Sequence, residues 1–297
     1  MSVQTLKNNS LEIQVNESGA ELISIKDAKT GIQYLWNGDP AYWNRRSPVL
    51  FPVVGNAKNK SYTYQGKTYS IGQHGFARDM MFTLKEKTEH SLWFTVKDTE
   101  DTLKIYPFHF ELEIGYELID RTIKVQWKVT NPDEKNMYFS IGGHPGFMCP
   151  LNQTGSRDDY YLSFDNDKPL HYLLIDPGCG LEVKKPFEEQ YILPTDQGIC
   201  RIDRHMFDND ALIIENHQCH SVSLLTPEKK PYVTVRFDAP LFGVWSPAIE
   251  NTPFICIEPW YGRCDSTDFD GDLNERDYIN SLQAGGGFEA SYTIEIG

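Results

Sequence analysis

Four stretches of this sequence combine residue types that move protons or hold oxygen-rich ligands with backbone that keeps them in place. The first is Phe254–Gly262, FICIEPWYG, where Glu258 closes an apolar run directly before a proline. On an extended strand successive side chains alternate faces, so Phe254, Cys256 and Glu258 share one side and Ile255 and Ile257 the other. A carboxylate on so apolar a strand must be paired, hydrogen-bonded or shifted in pKa, because burying a lone charge costs several kcal/mol. The plainer alternative is a strand-end Glu that reaches solvent. The second stretch is Gly142–Phe147, GGHPGF, directly after the strand-like MYFSI. Its glycines and proline fix the backbone, so His144 projects from a defined turn as a general acid or base, or else as a surface histidine.

The third stretch, Gly72–Asp79, reads GQHGFARD. A histidine between glycines, with Phe76 and Arg78 behind it, suits a place where backbone approaches a ligand closely; an exposed turn histidine is the alternative for His74. The fourth is Arg45-Arg46-Ser47-Pro48, leading into VLFPVVG. An arginine fork donates to sugar hydroxyls, carboxylates or a phosphate, and equally often forms a solvated edge. Two other clusters lead away from a metal. On a strand, His217 and His220 differ by an odd number of positions and face opposite sides. Asp265–Asp272 departs from a calcium loop at Ser266 and has no flanking helices, so it reads as an acidic solvated loop.

The elements that must position these residues are strands. Phe110–Leu118 alternates throughout, with Phe110, Leu112, Ile114, Tyr116 and Leu118 on one face, and Thr122–Val129 does the same through Ile123, Val125, Trp127 and Val129. Asp120-Arg121 between them has the length of a hairpin connection. Shorter runs recur at Leu11–Val15, Leu22–Ile25, Leu92–Val96, Tyr160–Phe164, Ala211–Ile214, Val222–Leu225, Tyr232–Phe237 and Tyr292–Ile296. No long amphipathic helix is evident. The pattern predicts an all-β fold of antiparallel sheets packed face to face, and with no linker-like tract residues 1–297 read as one domain.

Composition limits the partners. Hydrophobic content of 40%, aromatic content of 13% and 17 prolines describe an ordered, turn-rich chain. A formal net charge of −14 opposes nucleic acid as a partner. No apolar run is long enough to span a bilayer and the first residues lack a signal-peptide pattern, so no membrane partner and a cytoplasmic location are expected. Cys149, Cys179, Cys200, Cys219, Cys256 and Cys264 are scattered with no C-x-x-C pair and read as reduced thiols. Nothing in the sequence signals an oligomeric state.

Taken in order, RRSPVLFPVVG, GQHGFARD, GGHPGF and ICIEPWYG resemble the aldose 1-epimerase (mutarotase) family over nearly the whole chain, and within it most closely the LacX-type branch. The HGFAR element is similar to that of the hexose-6-phosphate mutarotases. The resemblance implies a galactose mutarotase-like supersandwich of antiparallel sheets, a small-molecule sugar or sugar phosphate in its concave face, and no cofactor or metal. It implies Glu258 as general base, His144 as general acid and His74 as the second histidine of the site. One of Arg45 and Arg46, with Arg46 preferred, would bind sugar hydroxyls. Asp208 or Asp210 in FDNDALII, with Asp210 favoured, would contact substrate, and Arg78 would meet a phosphate; the positions around both histidines differ from the galactose mutarotases.

Interconverting α and β hexoses requires removing the anomeric hydroxyl proton while protonating the ring oxygen, then rotating about C1–C2 and reclosing the ring. Reference pKa values predict an ionised Glu258 helping to keep His144 protonated. Trp245 and Trp260 either stack on the apolar face of a pyranose or belong to the core. Arg45, Arg46, Arg78 and Arg263 are the cations available to a phosphate. Two rival readings are a non-catalytic carbohydrate-binding sandwich and, since sandwiches also carry paired carboxylates, a glycoside hydrolase. Against the hydrolase, no second acid sits in a motif as constrained as that of Glu258.

Overall fold

A computed structural model describes residues 2–153 and 155–297. Its three larger sheets are antiparallel at every strand pair. The largest has nine strands in the order Ile199–Arg201, Tyr161–Phe164, Ser221–Leu225, Pro231–Phe237, Gly287–Ile296, Thr122–Thr130, Glu111–Ile119, Ser91–Lys97 and Thr83–Lys87. At its centre the expected hairpin forms, pairing Ile123 with Leu118, Val125 with Tyr116, Trp127 with Ile114 and Val129 with Leu112. All eight side chains are buried, while on the other face Glu111 and Glu113 meet Lys97 and Lys85. Asp120 turns the chain at φ 49°, a left-handed conformation that Asp tolerates better than most residues.

A six-stranded sheet carries the chemistry. Its order is Leu212–Ile214, Leu241–Trp245, Phe254–Tyr261, Ile141–Gly143 and Val49–Leu50, with Gly146–Met148 also paired to Phe254–Tyr261. Nearly every residue of these strands is buried on both faces, so they lack the polar and apolar alternation that marks the larger sheet. Leu241–Trp245 and the glycine-rich strands were accordingly not legible as strands. MYFSI proves to be two elements, Met137–Phe139 in a separate two-stranded sheet and Ile141–Gly143 here. Val3–Lys7, Leu11–Asn16 and Glu21–Asp27 form a third sheet.

Among the described residues the one α-helix is Glu100–Ile105, started by Thr99, whose hydroxyl accepts the Thr102 N–H. Among the described residues no helix is long and apolar enough to cross a membrane. All six cysteines are unpaired, and only Cys179 is exposed.

Candidate active site

Phe254–Tyr261 divides its side chains as alternation requires. Ile255 and Ile257 enter the main core, while Phe254 and Cys256 pack with Trp36 and Met148. Glu258 falls on the latter face and is 1% exposed, so the solvated strand-end alternative fails. Trp260 lies two residues on, across both neighbouring strands. A Cβ at Gly142 or at Gly243 would come within 2.6 Å of its indole, so only glycine leaves room for the ring.

The GGHPGF turn is threaded between two of the other motifs. The His144 N–H donates to the Pro48 carbonyl at 3.1 Å, the Gly146 N–H to the Arg46 carbonyl at 2.8 Å, and the Ile257 N–H to the Pro145 carbonyl at 3.2 Å. His144 is buried with Nδ1 3.3 Å from Oε1 of Glu258. Neither Nδ1 nor Glu258 Oε2 has a well-formed hydrogen bond. The face of His144 lies against Trp43, ring centroids 4.7 Å apart at 30°, and its edge meets Trp245 at 5.4 Å and 90°.

His74 enters from the GQHGFARD loop at φ 63°. Gly75 beside it must be glycine, since a Cβ there would lie 2.2 Å from the Phe51 carbonyl oxygen. The His74 N–H donates to the Gly55 carbonyl at 2.8 Å, and the Gly55 N–H donates back to His74 Nδ1 at 3.0 Å. Burial, then His144 and Arg78, pull its pKa well below the usual histidine value. A neutral imidazole that accepts at Nδ1 carries its proton on Nε2, so His74 is a hydrogen-bond donor at that atom.

The electrostatics correct one expectation. Burial, then Arg78 and Arg45, lower the pKa of His144, and burial, reinforced by Asp210, raises that of Glu258 well above the usual carboxyl range. The Trp260 indole opposes the second shift from close by, without completing a good hydrogen bond. A carboxylate beside an imidazolium is thus the disfavoured state of the buried pair. Burial thus weights the pair towards a neutral imidazole beside a protonated carboxyl.

The remaining residues separate into those the fold gathers and those it does not. Arg78 lines the same cavity, of about 320 Å³, as His74, His144, Asp210, Trp245 and Glu258, with Trp43 and Trp260 also on its wall. Burial and Arg45 lower its pKa to about 10. Its Nη2 donates to the Gln73 carbonyl at 2.7 Å, and its nearest carboxylate, Asp79 at 3.9 Å, is held more tightly by Arg45 at 2.6 Å. Arg45 therefore stands behind Arg78. Arg46 instead lays its guanidinium against Gly38, apart from the cavity. Asp210 is turned inward at φ 68° and accepts the Ala211 N–H at 2.8 Å; burial raises its pKa, and the Ala211 hydrogen bond, then the nearby Trp245 indole, work against that. It is a second acid beside Glu258, half-buried on the same cavity wall. Asp208 binds His205 at 2.9 Å and faces a separate cleft of about 280 Å³.

Three further expectations change. Arg263 is not available to a phosphate, because it is 4% exposed and enclosed by Glu182, Glu215 and Asp277. His217 lies in a turn at φ 51°, not on a strand, and its ring approaches that of His220 to 5.7 Å. In the acidic loop, Asp265 is bound by Arg276 and Asp270 by Lys58. Sequence reasoning passed over Trp43, whose only signal is its place two residues ahead of Arg45, and over Cys264 and Ile175 on the cavity wall.

With this geometry in view, comparison with known proteins is decisive. The family described as Aldose 1-epimerase matches residues 2–272. The chain belongs to the aldose 1-epimerase family. It is 34% identical over 301 residues, 98% of each chain, to the plasmid and the chromosomal forms of protein LacX from Lactococcus lactis subsp. lactis. A galactose mutarotase related enzyme from Lactobacillus acidophilus superposes with a TM-score of 0.92 at 35% identity, covering 100% of this chain and 97% of that one. A galactose mutarotase-like protein from Lactobacillus casei gives 0.90 at 31% identity, covering all of both chains. The all-β sheet arrangement is that of the galactose mutarotase-like structures.

Proposed function

We infer that this aldose 1-epimerase family member is a mutarotase that interconverts the α and β anomers of a hexose or hexose phosphate, with Glu258 and His144 as the proton-transfer pair. The observation that carries the reading is the 3.3 Å approach of His144 Nδ1 to Glu258 Oε1 in a cavity whose wall also carries His74, Arg78, Asp210 and three tryptophans. Ring opening takes one proton from the anomeric hydroxyl and places one on the ring oxygen, so the net proton count does not change. A buried pair that holds a single proton suits this requirement. With substrate bound, the proton moves to His144, Glu258 receives the hydroxyl proton, and His144 delivers its own to the ring oxygen; rotation about C1–C2 and the reverse transfers close the other anomer. Each positioned group contributes about 10²–10⁴-fold.

His74 Nε2–H and Asp210 serve as donor and acceptor to sugar hydroxyls, and Trp245 or Trp260 offers a flat wall to the pyranose. Arg78 provides the cation for a hydroxyl-rich end or a 6-phosphate, with Arg45 reinforcing the field. Arg46 and Asp208, away from the cavity, have no part in this reading. The six unpaired cysteines fit a reducing compartment, and with it a cytoplasmic location.

Saturation-transfer NMR of anomer exchange on glucose, galactose and their 6-phosphates, with wild type and Glu258→Gln, tests the proposal. Accelerated exchange on at least one sugar, nearly abolished in the variant while sugar affinity is largely kept, is the expected result. Saturable binding without exchange would instead identify a carbohydrate-binding protein. Because Asp210 supplies a second acid on the cavity wall, aryl glycosides belong in the same series, and no release of reducing sugar is expected.

A further inference from the structure

Cys256 has no part in the mutarotase reading, yet its sulfur stands beside the proton-transfer pair. One ligand atom each from His144, Cys256 and Glu258 lies within 4.8 Å of the other two. All three residues are buried, and His144 Nδ1 and Glu258 Oε2 lack hydrogen-bond partners. A nitrogen, a sulfur and a carboxylate oxygen are the donor types that zinc takes in sites with three protein ligands and one open position. Metal–ligand bonds of about 2.0–2.3 Å in a tetrahedron place the ligand atoms about 3.5 Å apart. The His144–Glu258 separation of 3.3 Å already meets that distance, and the sulfur lies within 4.8 Å of both. Since His144 and Glu258 line the sugar cavity while Cys256 lies beneath it, the open position faces the sugar.

We propose that His144, Cys256 and Glu258 bind a thiophilic divalent cation of the zinc class, and that the bound cation silences the site. Binding forms one bond each to nitrogen, sulfur and oxygen. The thiol and carboxyl protons leave to solvent, so thiolate and carboxylate balance the charge of the ion and no redox partner is needed. The cation then occupies both proton-transfer groups. The claim of inhibition rests on the mutarotase reading; the claim of binding does not.

Cobalt(II) is the probe for the site and zinc the competitor, using the full chain. Wild type should bind one cobalt ion with a thiolate-to-cobalt charge-transfer band in the near ultraviolet, and zinc should displace it. Cys256→Ala should lose that band and weaken zinc binding by more than about 100-fold, beyond the roughly 10–100-fold that loss of a supporting contact costs. Cys256→Ser, closer in volume, gives a second variant with the same expected loss, and His217→Ala removes the exposed histidine pair as a competing source of signal. A wild-type spectrum without the thiolate band, or unchanged zinc affinity in the Cys256 variants, overturns the proposal. In the exchange assay, zinc should block wild type, a chelator should restore it, and Cys256→Ala should resist. Zinc binding at Cys256 that leaves exchange untouched overturns the silencing half, whereas absence of exchange on every sugar without zinc is a failure of the mutarotase reading.

Discussion

Trp43 shows what a single residue adds to a proton-transfer pair. Its indole covers the face of His144, braced by Trp245 at 5.6 Å and by Phe254 at 5.7 Å. An aromatic face favours a cation by about 0.5–2 kcal/mol, and burial with two arginines nearby works against one on His144. In the mutarotase reading, Trp43 lowers the cost of the imidazolium formed during ring opening. Trp43→Leu should reduce kcat for anomer exchange by about 2- to 30-fold, the range that the cation–π energy converts to, while Trp43→Phe, which retains a ring face, should lose less. Equal losses in the two variants would assign Trp43 a purely packing role. Glu258 and His144 stood out at this scale because their neighbours constrain them strongly, through Pro259 and the Gly-Pro frame, whereas Asp210 rested on the family resemblance, which left Asp208 open beside it. Trp43 was not, because a tryptophan in an irregular loop has no periodicity, and its partner lies about a hundred residues on. The protonation state escaped for a related reason: reference pKa values describe solvated groups, and only the fold shows that Glu258 and His144 are dry.

Among elements, the six-stranded sheet is a platform whose flatness depends on its glycines. Gly243 sits opposite Glu258 in the strand register, and Trp260 passes over it. Gly243→Ala would force the methyl and the indole apart, and overpacking of this kind costs about 1–3 kcal/mol. The expected outcome is a melting temperature lowered by several degrees together with reduced exchange, because Trp260 walls the sugar cavity. Gly72→Ala, whose added Cβ meets nothing within 4 Å, is the matched control for the melting temperature. An unchanged melting temperature in Gly243→Ala would mean that the ring can tilt freely. The outer strands were legible because one face is wet and the other dry, as in Glu111–Ile119. The platform strands are dry on both faces, and glycines replace the side chains by which alternation is recognised. The motifs marked the platform before its strands could be seen.

Over the whole molecule, Arg121 ties the N-terminal sheet to the nine-stranded one. Arg121, in the turn of the central hairpin, donates Nη1 to Asp27 at 2.9 Å, Nε to the Ile296 carbonyl at 3.0 Å and Nη2 to the Gly297 carbonyl at 2.9 Å. It thereby ties the third strand of the N-terminal sheet to the C-terminal strand of the nine-stranded one. This tie was invisible in the sequence, since Asp120-Arg121 reads as an ordinary polar connection. Asp27 also accepts the N–H groups of Thr30 and Lys29. The Thr30 hydrogen bond first, then Arg121 and Lys29, hold its pKa well below the usual carboxylate value. A carboxyl that is more acidic folded than unfolded stabilises the fold fully above its unfolded pKa of about 4, and that contribution fades as pH falls through the folded value. Asp27 is largely buried, whereas Arg121 is 35% exposed, so solvent weakens the pair. Asp27→Asn should cost about 1–2 kcal/mol in urea unfolding at pH 7, the range of hydrogen bonds to a charged group discounted for screening. By pH 3 the gap should have narrowed, because the unfolded wild type then takes up a proton that the folded protein still excludes. A gap that stays constant with pH would place the contribution of Asp27 in its turn geometry alone, with the ion pair to Arg121 adding nothing to the tie between the two sheets.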